Sequence, residues 1–149
     1  MRRWIVPAVL LLLGACHYEL SLTEAPTGAA DARLTGTWTL VEPEKGERMD
    51  VRLYDDRNYV IAYNGDLYRA FHSEVAGLPL ISAQNLNDRE RKWIYFTWQL
   101  SENGRRLTIR AVRTEVVPAT TRDRASLVKL IEANRENPAL FGEPGVYTK

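Results

Sequence analysis

The chain has 149 residues, with 20 basic and 19 acidic side chains, two histidines, one cysteine and a formal net charge of +1. The near balance of charge argues against a nucleic-acid binder, which carries a basic excess, and a single cysteine excludes an internal disulfide. This length suits one domain held by its own core.

In chain order, Arg2 and Arg3 precede an apolar run from Trp4 to Leu13, followed by small residues. A short positive segment, an apolar stretch and a small-residue end form a secretory signal. The run is shorter than the roughly 20 apolar residues needed to span a bilayer. The residues Leu13-Gly14-Ala15-Cys16 resemble the lipobox of bacterial lipoproteins. That resemblance implies that residues 1–15 are removed and that Cys16 is diacylated on sulfur and acylated on its amine. Several acyl chains anchor a protein almost permanently, where one would be marginal. The residue after the cysteine is His17 rather than aspartate, which under the family's sorting rule implies the outer membrane, facing the periplasm. The remaining 134 residues carry 18 basic and 19 acidic side chains.

Residues 17–33, HYELSLTEAPTGAADAR, show no periodic apolar pattern and contain Pro26 and Gly28. Residues 16–33 therefore read as a lipidated cysteine and a flexible tether, reaching about 20–25 Å. Alternatively, His17, Tyr18 and Leu20 lie along the lipid surface.

Residues 34–149 read as a single β-rich domain. Turn signals recur at residues 44–47, 55–58, 64–66, 77–79, 85–91 and 102–104, and the Asn64-Gly65 pair is the strongest short hairpin signal. Between them lie alternating segments rich in β-branched and aromatic residues. Leu34, Gly36, Trp38 and Leu40 share one face of the first. Met49, Val51 and Leu53 mark the second, and Tyr59, Ile61 and Tyr63 the third. The fourth and fifth, 67–76 and 79–86, alternate less cleanly. The sixth, KWIYFTWQL, is apolar on both faces and so requires cover from outside the sheet. The seventh places Leu107, Ile109 and Ala111 together, and VYTK at the C-terminus supplies an eighth beside the first. Short turns and regular spacing predict an antiparallel meander, a small β-barrel or strongly curled sheet of seven to eight strands.

One C-terminal α-helix is predicted within TTRDRASLVKLIEANREN. Ala125, Val128 and Ile131, with Leu127 and Leu130, form its apolar stripe. Thr121 or Asp123 is its N-cap, and Asn137-Pro138 its stop. The stripe either covers the outer face of the sixth strand or plugs one end of the barrel.

Gly36-Thr37-Trp38 at the start of the first strand resembles the Gly-x-Trp signature of lipocalins and the wider calycin group. The late helix before a last short strand is similar too. In that group the tryptophan packs across one end of the barrel, and the interior takes hydrophobic ligands. No later lipocalin motif follows. The whole of 34–149 resembles a domain that recurs in uncharacterised bacterial lipoproteins.

No motif for catalysis, metal or cofactor emerges. With His17 and His72 alone, no histidine pair is placed for zinc. His72 neighbours Ser73 and Glu74, but adjacent strand residues point to opposite faces. Asp55-Asp56 reads as turn chemistry, and Asp88 to Lys92 as a solvated loop. The aromatic residues remain: Trp38, Tyr63, Phe71, Tyr95 and Trp98 are the candidate lining of a ligand pocket. Either a hydrophobic or amphiphilic small molecule enters the barrel, or aromatic side chains fill it.

Two functions follow, neither enzymatic and neither involving nucleic acid or a cofactor. The first is a membrane-anchored module that binds a hydrophobic small molecule in a cavity of several hundred cubic ångströms. The second is a solid-core accessory lipoprotein that meets an envelope protein through an exposed apolar patch or sheet edge.

Overall fold

A computed structural model describes residues 17–149; the signal segment and Cys16 lie outside the described residues. Eight strands follow in order: β1 Gly36–Glu42, β2 Arg48–Leu53, β3 Asn58–Tyr63, β4 Asp66–Val75, β5 Leu78–Asn85, β6 Trp93–Leu100, β7 Arg106–Ala111 and β8 Gly145–Thr148. Each pairs antiparallel with the next, and β8 returns to pair with β1, so the sheet closes into a barrel. The expected meander is present with all eight strands, and closure leaves no unpaired edge strand.

Alternation fixes which side chains go inside. Trp38 and Leu40, Val51, Tyr59, Ile61 and Tyr63, Ile81, Phe96 and Trp98, and Leu107 pack together in the barrel interior. Asn64 (φ 53°) and Gly65 (φ 84°) form the predicted two-residue turn between β3 and β4, where positive φ at both positions matches the twist of the flanking strands. In an up-and-down meander the connections alternate between two ends. One end carries the β1–β2, β3–β4, β5–β6 and β7–β8 connections. The opposite end carries the β2–β3, β4–β5 and β6–β7 turns and the entry into β1, close to Trp38.

A second buried cluster lies outside the wall. Phe71 and Val75 of β4, Leu80 of β5, and Trp93 and Tyr95 of β6 pack against Tyr18, Leu22, Val117, Leu127, Ile131 and Leu140. The helix α1, Arg124–Ala133, therefore lies outside the wall, closest to β4 and within the apolar cluster that β4, β5 and β6 share, instead of plugging an end. Asp123 is its N-cap, accepting from the Ala125 amide. Leu127 and Ile131 are buried, whereas Ala125 is exposed and lies outside the stripe. The helix ends at Ala133, short of Asn137-Pro138, and Asn137 instead caps a 3-10 turn, Pro138–Leu140.

The flexible tether is not what residues 17–33 form. Tyr18 and Leu22 are fully buried. The Tyr18 amide and carbonyl both bond Trp93 at 2.7 Å, and the Tyr18 hydroxyl donates to the Val117 carbonyl at 2.7 Å. Further along, the Leu22 amide donates to Ser82 Oγ, and Thr23 meets Ser73. The Thr27 amide then donates to the His72 carbonyl, and that of Ala30 to the Asp56 carbonyl. The reason is the second apolar face of β4–β6, which α1 alone leaves partly bare. The segment lacks periodicity because it docks in extended form, through a few side chains and many main-chain bonds.

Candidate functional site

Two features of the barrel interior matter for function: the closed end around Trp38 and a small cavity in the opposite half. At the closed end, Trp38 is fully buried and its Nε1 donates to the Leu34 carbonyl at 2.9 Å. The Lys149 ammonium sits 4.9 Å from the centre of the indole ring and donates to the Arg33 carbonyl at 3.0 Å. Gly36, two residues before the indole, has φ +136°, and a Cβ there would lie 2.9 Å from Lys149 Cε. The glycine of the Gly-x-Trp tripeptide is thus favoured by its backbone conformation, and a Cβ there would also displace the flexible end of Lys149. The N-terminal segment, Trp38 and the last residue of the chain form one plug.

Above this plug lies a polar group. The Tyr59 hydroxyl meets His72 Nε2 at 2.8 Å and accepts from the Asp31 amide. Trp98 stands edge-on to the Tyr59 ring at 5.2 Å. Burial lowers the His72 pKa below its ordinary 6.5, opposed by the charge of Asp31. Its folded value lies below the unfolded one, so the unfolded chain takes up the proton first as pH falls. Stability should therefore be full above pH 6.5 and decline below it until the folded imidazole also protonates. Urea midpoints across pH 7.5 to 5 should fall for the wild type and stay flatter for His72→Gln. Equal slopes would show that His72 is not the responsible group. His72 and Ser73 lie on opposite faces of β4, and the Ser73 hydroxyl bonds Ser82 at 2.8 Å. Among the described residues, no cluster of three or more His, Cys, Asp or Glu is arranged for a metal ion.

The cavity occupies the half of the barrel away from Trp38. Met49, Ile61, Tyr63, Tyr68, Ala83, Ile94, Phe96 and Tyr147 contribute to its almost wholly apolar lining. Its volume is about 50 Å³. On this measure one water needs about 10–15 Å³, and a cavity of about 150 Å³ holds benzene. The space thus suits a few small atoms and falls well short of several hundred cubic ångströms. Its rim is polar at one place, where the Tyr63 hydroxyl donates to the Glu47 carboxylate. Burial first, and then Glu47, push the Tyr63 pKa well above the ordinary tyrosine value, so the phenol stays a neutral donor.

The five candidate lining residues separate. Tyr63 lines the cavity with its ring in the interior. Trp38 and Trp98 are interior but lie outside the cavity lining and fill the closed half. Phe71 and Tyr95 belong to the outer cluster. Phe71 packs edge-on to Trp93 at 5.6 Å. Tyr95 borders the cavity, but its ring stacks on Tyr18 at 4.1 Å and its hydroxyl donates to the Leu20 carbonyl. Strand parity explains the correction: positions 95 and 98 differ by three and cannot share a face. Inter-strand register brings Tyr68, Ala83 and Tyr147 to the same side as Tyr63: Tyr63 pairs with Asp66, Tyr68 with Asn85, and Tyr147 with the interior Leu40. Glu47 and Lys149 carried no such signal, because their partners are remote in sequence.

Comparisons with models of protein families, with curated proteins and with solved structures return no match for this chain.

Proposed function

We propose that this chain is a lipid-anchored envelope lipoprotein without catalytic activity, whose barrel is a filled scaffold and whose loops meet a protein partner. The observation that carries this reading is the packed interior, which leaves about 50 Å³ where ligand pockets usually offer several hundred. Closure of the sheet removes any edge for strand addition, so recognition falls to loops. At the tip between β2 and β3, Leu53 is 45% exposed and Tyr54 71%. An exposed aromatic beside an exposed leucine is the kind of anchor that interfaces use. Lipidation of Cys16 rests on the Leu13-Gly14-Ala15-Cys16 sequence, and placement in the outer membrane on His17. The non-catalytic reading rests on His72, whose nearest polar partner is a tyrosine rather than a nucleophile held near a carboxylate.

A photo-cross-linking residue at position 54, in the intact envelope, tests the reading. A discrete adduct from position 54, absent from position 108 on the barrel wall, supports a partner at the tip. Adducts from neither position 53 nor 54 would refute it.

A second reading, uptake of a small hydrophobic molecule, is favoured by the apolar lining and by Met49, a side chain that re-packs readily. Native mass spectrometry of residues 17–149 purified without detergent separates the two. A stoichiometric bound molecule would favour uptake, and a clean apo mass the filled scaffold. Ala83→Phe adds a second measurement. Ala83 is 1% exposed and borders the cavity, so a phenyl ring overpacks it. A loss of about 1–3 kcal/mol in urea unfolding is expected. A variant that keeps wild-type stability would indicate more room than a filled core has.

A further inference from the structure

We propose that the barrel stands end-on upon the membrane, with its cavity end against the phospholipid headgroups and the β2–β3 tip directed away. The proposal rests on the lipoprotein reading of Cys16 and adds an orientation that the reading alone lacks.

The argument starts from where the ordered chain begins. Tyr18 pairs with Trp93, the first residue of β6, through two main-chain bonds of 2.7 Å. The start of β6 lies at the cavity end, beside the 86–92 connection. From there the segment descends the wall through Leu22 on Ser82, Thr23 on Ser73 and Ala30 on Asp56. It reaches Leu34 under Trp38, at the far end. None of these residues is slack. Cys16 is one residue before His17, and consecutive Cα atoms are about 3.8 Å apart. An acyl anchor on Cys16 thus leaves the domain at the rim of the cavity end. A free tether of that length would instead allow about 20–25 Å.

The surface that this places against lipid is suited to headgroups rather than to the hydrocarbon. Lys45, Arg48, Arg89, Arg91 and Lys92 are interleaved with Glu44, Glu47, Asp88 and Glu90, and Lys92 pairs with Glu90 at 2.9 Å. Mixed signs match zwitterionic headgroups and create no requirement for anionic lipid. Insertion of the barrel itself is opposed by Arg52, Arg69, Gln99 and Arg110, exposed on its outer wall, where a membrane barrel carries an apolar band. The exposed Leu53 and Tyr54 sit at the opposite end, where a partner in the aqueous space reaches them.

The test uses the full-length protein, purified from the envelope and reconstituted in vesicles of zwitterionic phospholipid. Intact mass first establishes whether Cys16 is acylated. Variants with one added cysteine, the single free thiol once Cys16 is acylated, then carry a fluorophore at the cavity end, Lys45→Cys and Arg89→Cys, or at the far end, Glu102→Cys and Arg105→Cys. Energy transfer to headgroup acceptors reads the height of each. Heights differing by roughly 20 Å, the rise of six strand residues, with the cavity-end labels lower, are expected. An acylated protein with equal heights for both pairs overturns the orientation and leaves the lipoprotein reading intact. An unmodified Cys16 overturns both.

Discussion

Replacing Trp38 by alanine will lower the unfolding free energy by about 3–5 kcal/mol, the range for emptying a large aromatic from a well-packed core. The indole is fully buried, and three separate parts of the chain meet on it. Its Nε1–H satisfies the Leu34 carbonyl at 2.9 Å, the Lys149 ammonium lies 4.9 Å over its ring, and its partner on the adjacent strand β2 is Met49. Trp38→Phe separates packing from hydrogen bonding. It keeps most of the apolar volume but leaves the Leu34 carbonyl without its donor, which is worth about 1–3 kcal/mol. Lys149→Ala should cost less than either, because a cation over a ring at a partly exposed site contributes about 0.5–1 kcal/mol. Urea unfolding followed by tryptophan emission and by circular dichroism measures all three. A Trp38→Ala variant within about 1 kcal/mol of the wild type would show that the plug does not hold the barrel closed.

Removing residues 17–33 will cause the remaining domain to aggregate. This expectation separates a docked segment from a tether, since loss of a tether leaves thermal stability unchanged. Deletion uncovers Phe71, Val75, Leu80, Trp93 and Tyr95 on one side of the wall. It also strips the Ser73–Ser82 hydroxyl pair of its bonds to Thr23 and the Leu22 amide. Exposed contiguous apolar surface of that kind drives association. A milder version is Tyr18→Ala, which loses a ring stacked at 4.1 Å on Tyr95 and a hydroxyl bonded to the Val117 carbonyl. About 3–5 kcal/mol is expected. The comparison is between residues 17–149 and residues 34–149, by size-exclusion chromatography and thermal melts. A monomeric 34–149 fragment with an unchanged melt would restore the tether.

Under the proposed anchoring at Cys16, the same docked segment would link the fold to the membrane. A domain on a long leash samples all orientations, whereas one fixed at the rim of its barrel presents one end to lipid and the other to the aqueous space. With the interior packed, what such a protein offers a partner is its far end, where Tyr54 stands most exposed.

Much of the architecture was readable in the chain, and the reasons are local. Period-two alternation around Trp38, Val51 and Ile61 encodes strands, because side chains on a pleated ribbon must alternate whatever their partner. Asn64-Gly65 encodes a turn, because few other pairs tolerate two positive φ values in succession. Asp123 encodes a helix start through a bond two residues away. The two-faced apolar pattern of β6 announced a cover on its outer side. The expectation of export and lipidation rests on residues 1–16 as a linear motif, a reading that needs no fold.

The chain order alone left three matters open, all of them long-range. Whether residues 17–33 swing free or dock depends on an apolar face built from β4, β5 and β6, which exists only once those strands are side by side. Which aromatics share a space depends on inter-strand register, so Phe71 and Tyr95 went to the outer layer while Tyr63 and Trp98 went inside. Whether the barrel is hollow depends on how closely opposing side chains meet across it, and here they leave about 50 Å³. Local sequence determines which face of a strand is apolar; only closure of the sheet decides what that face meets.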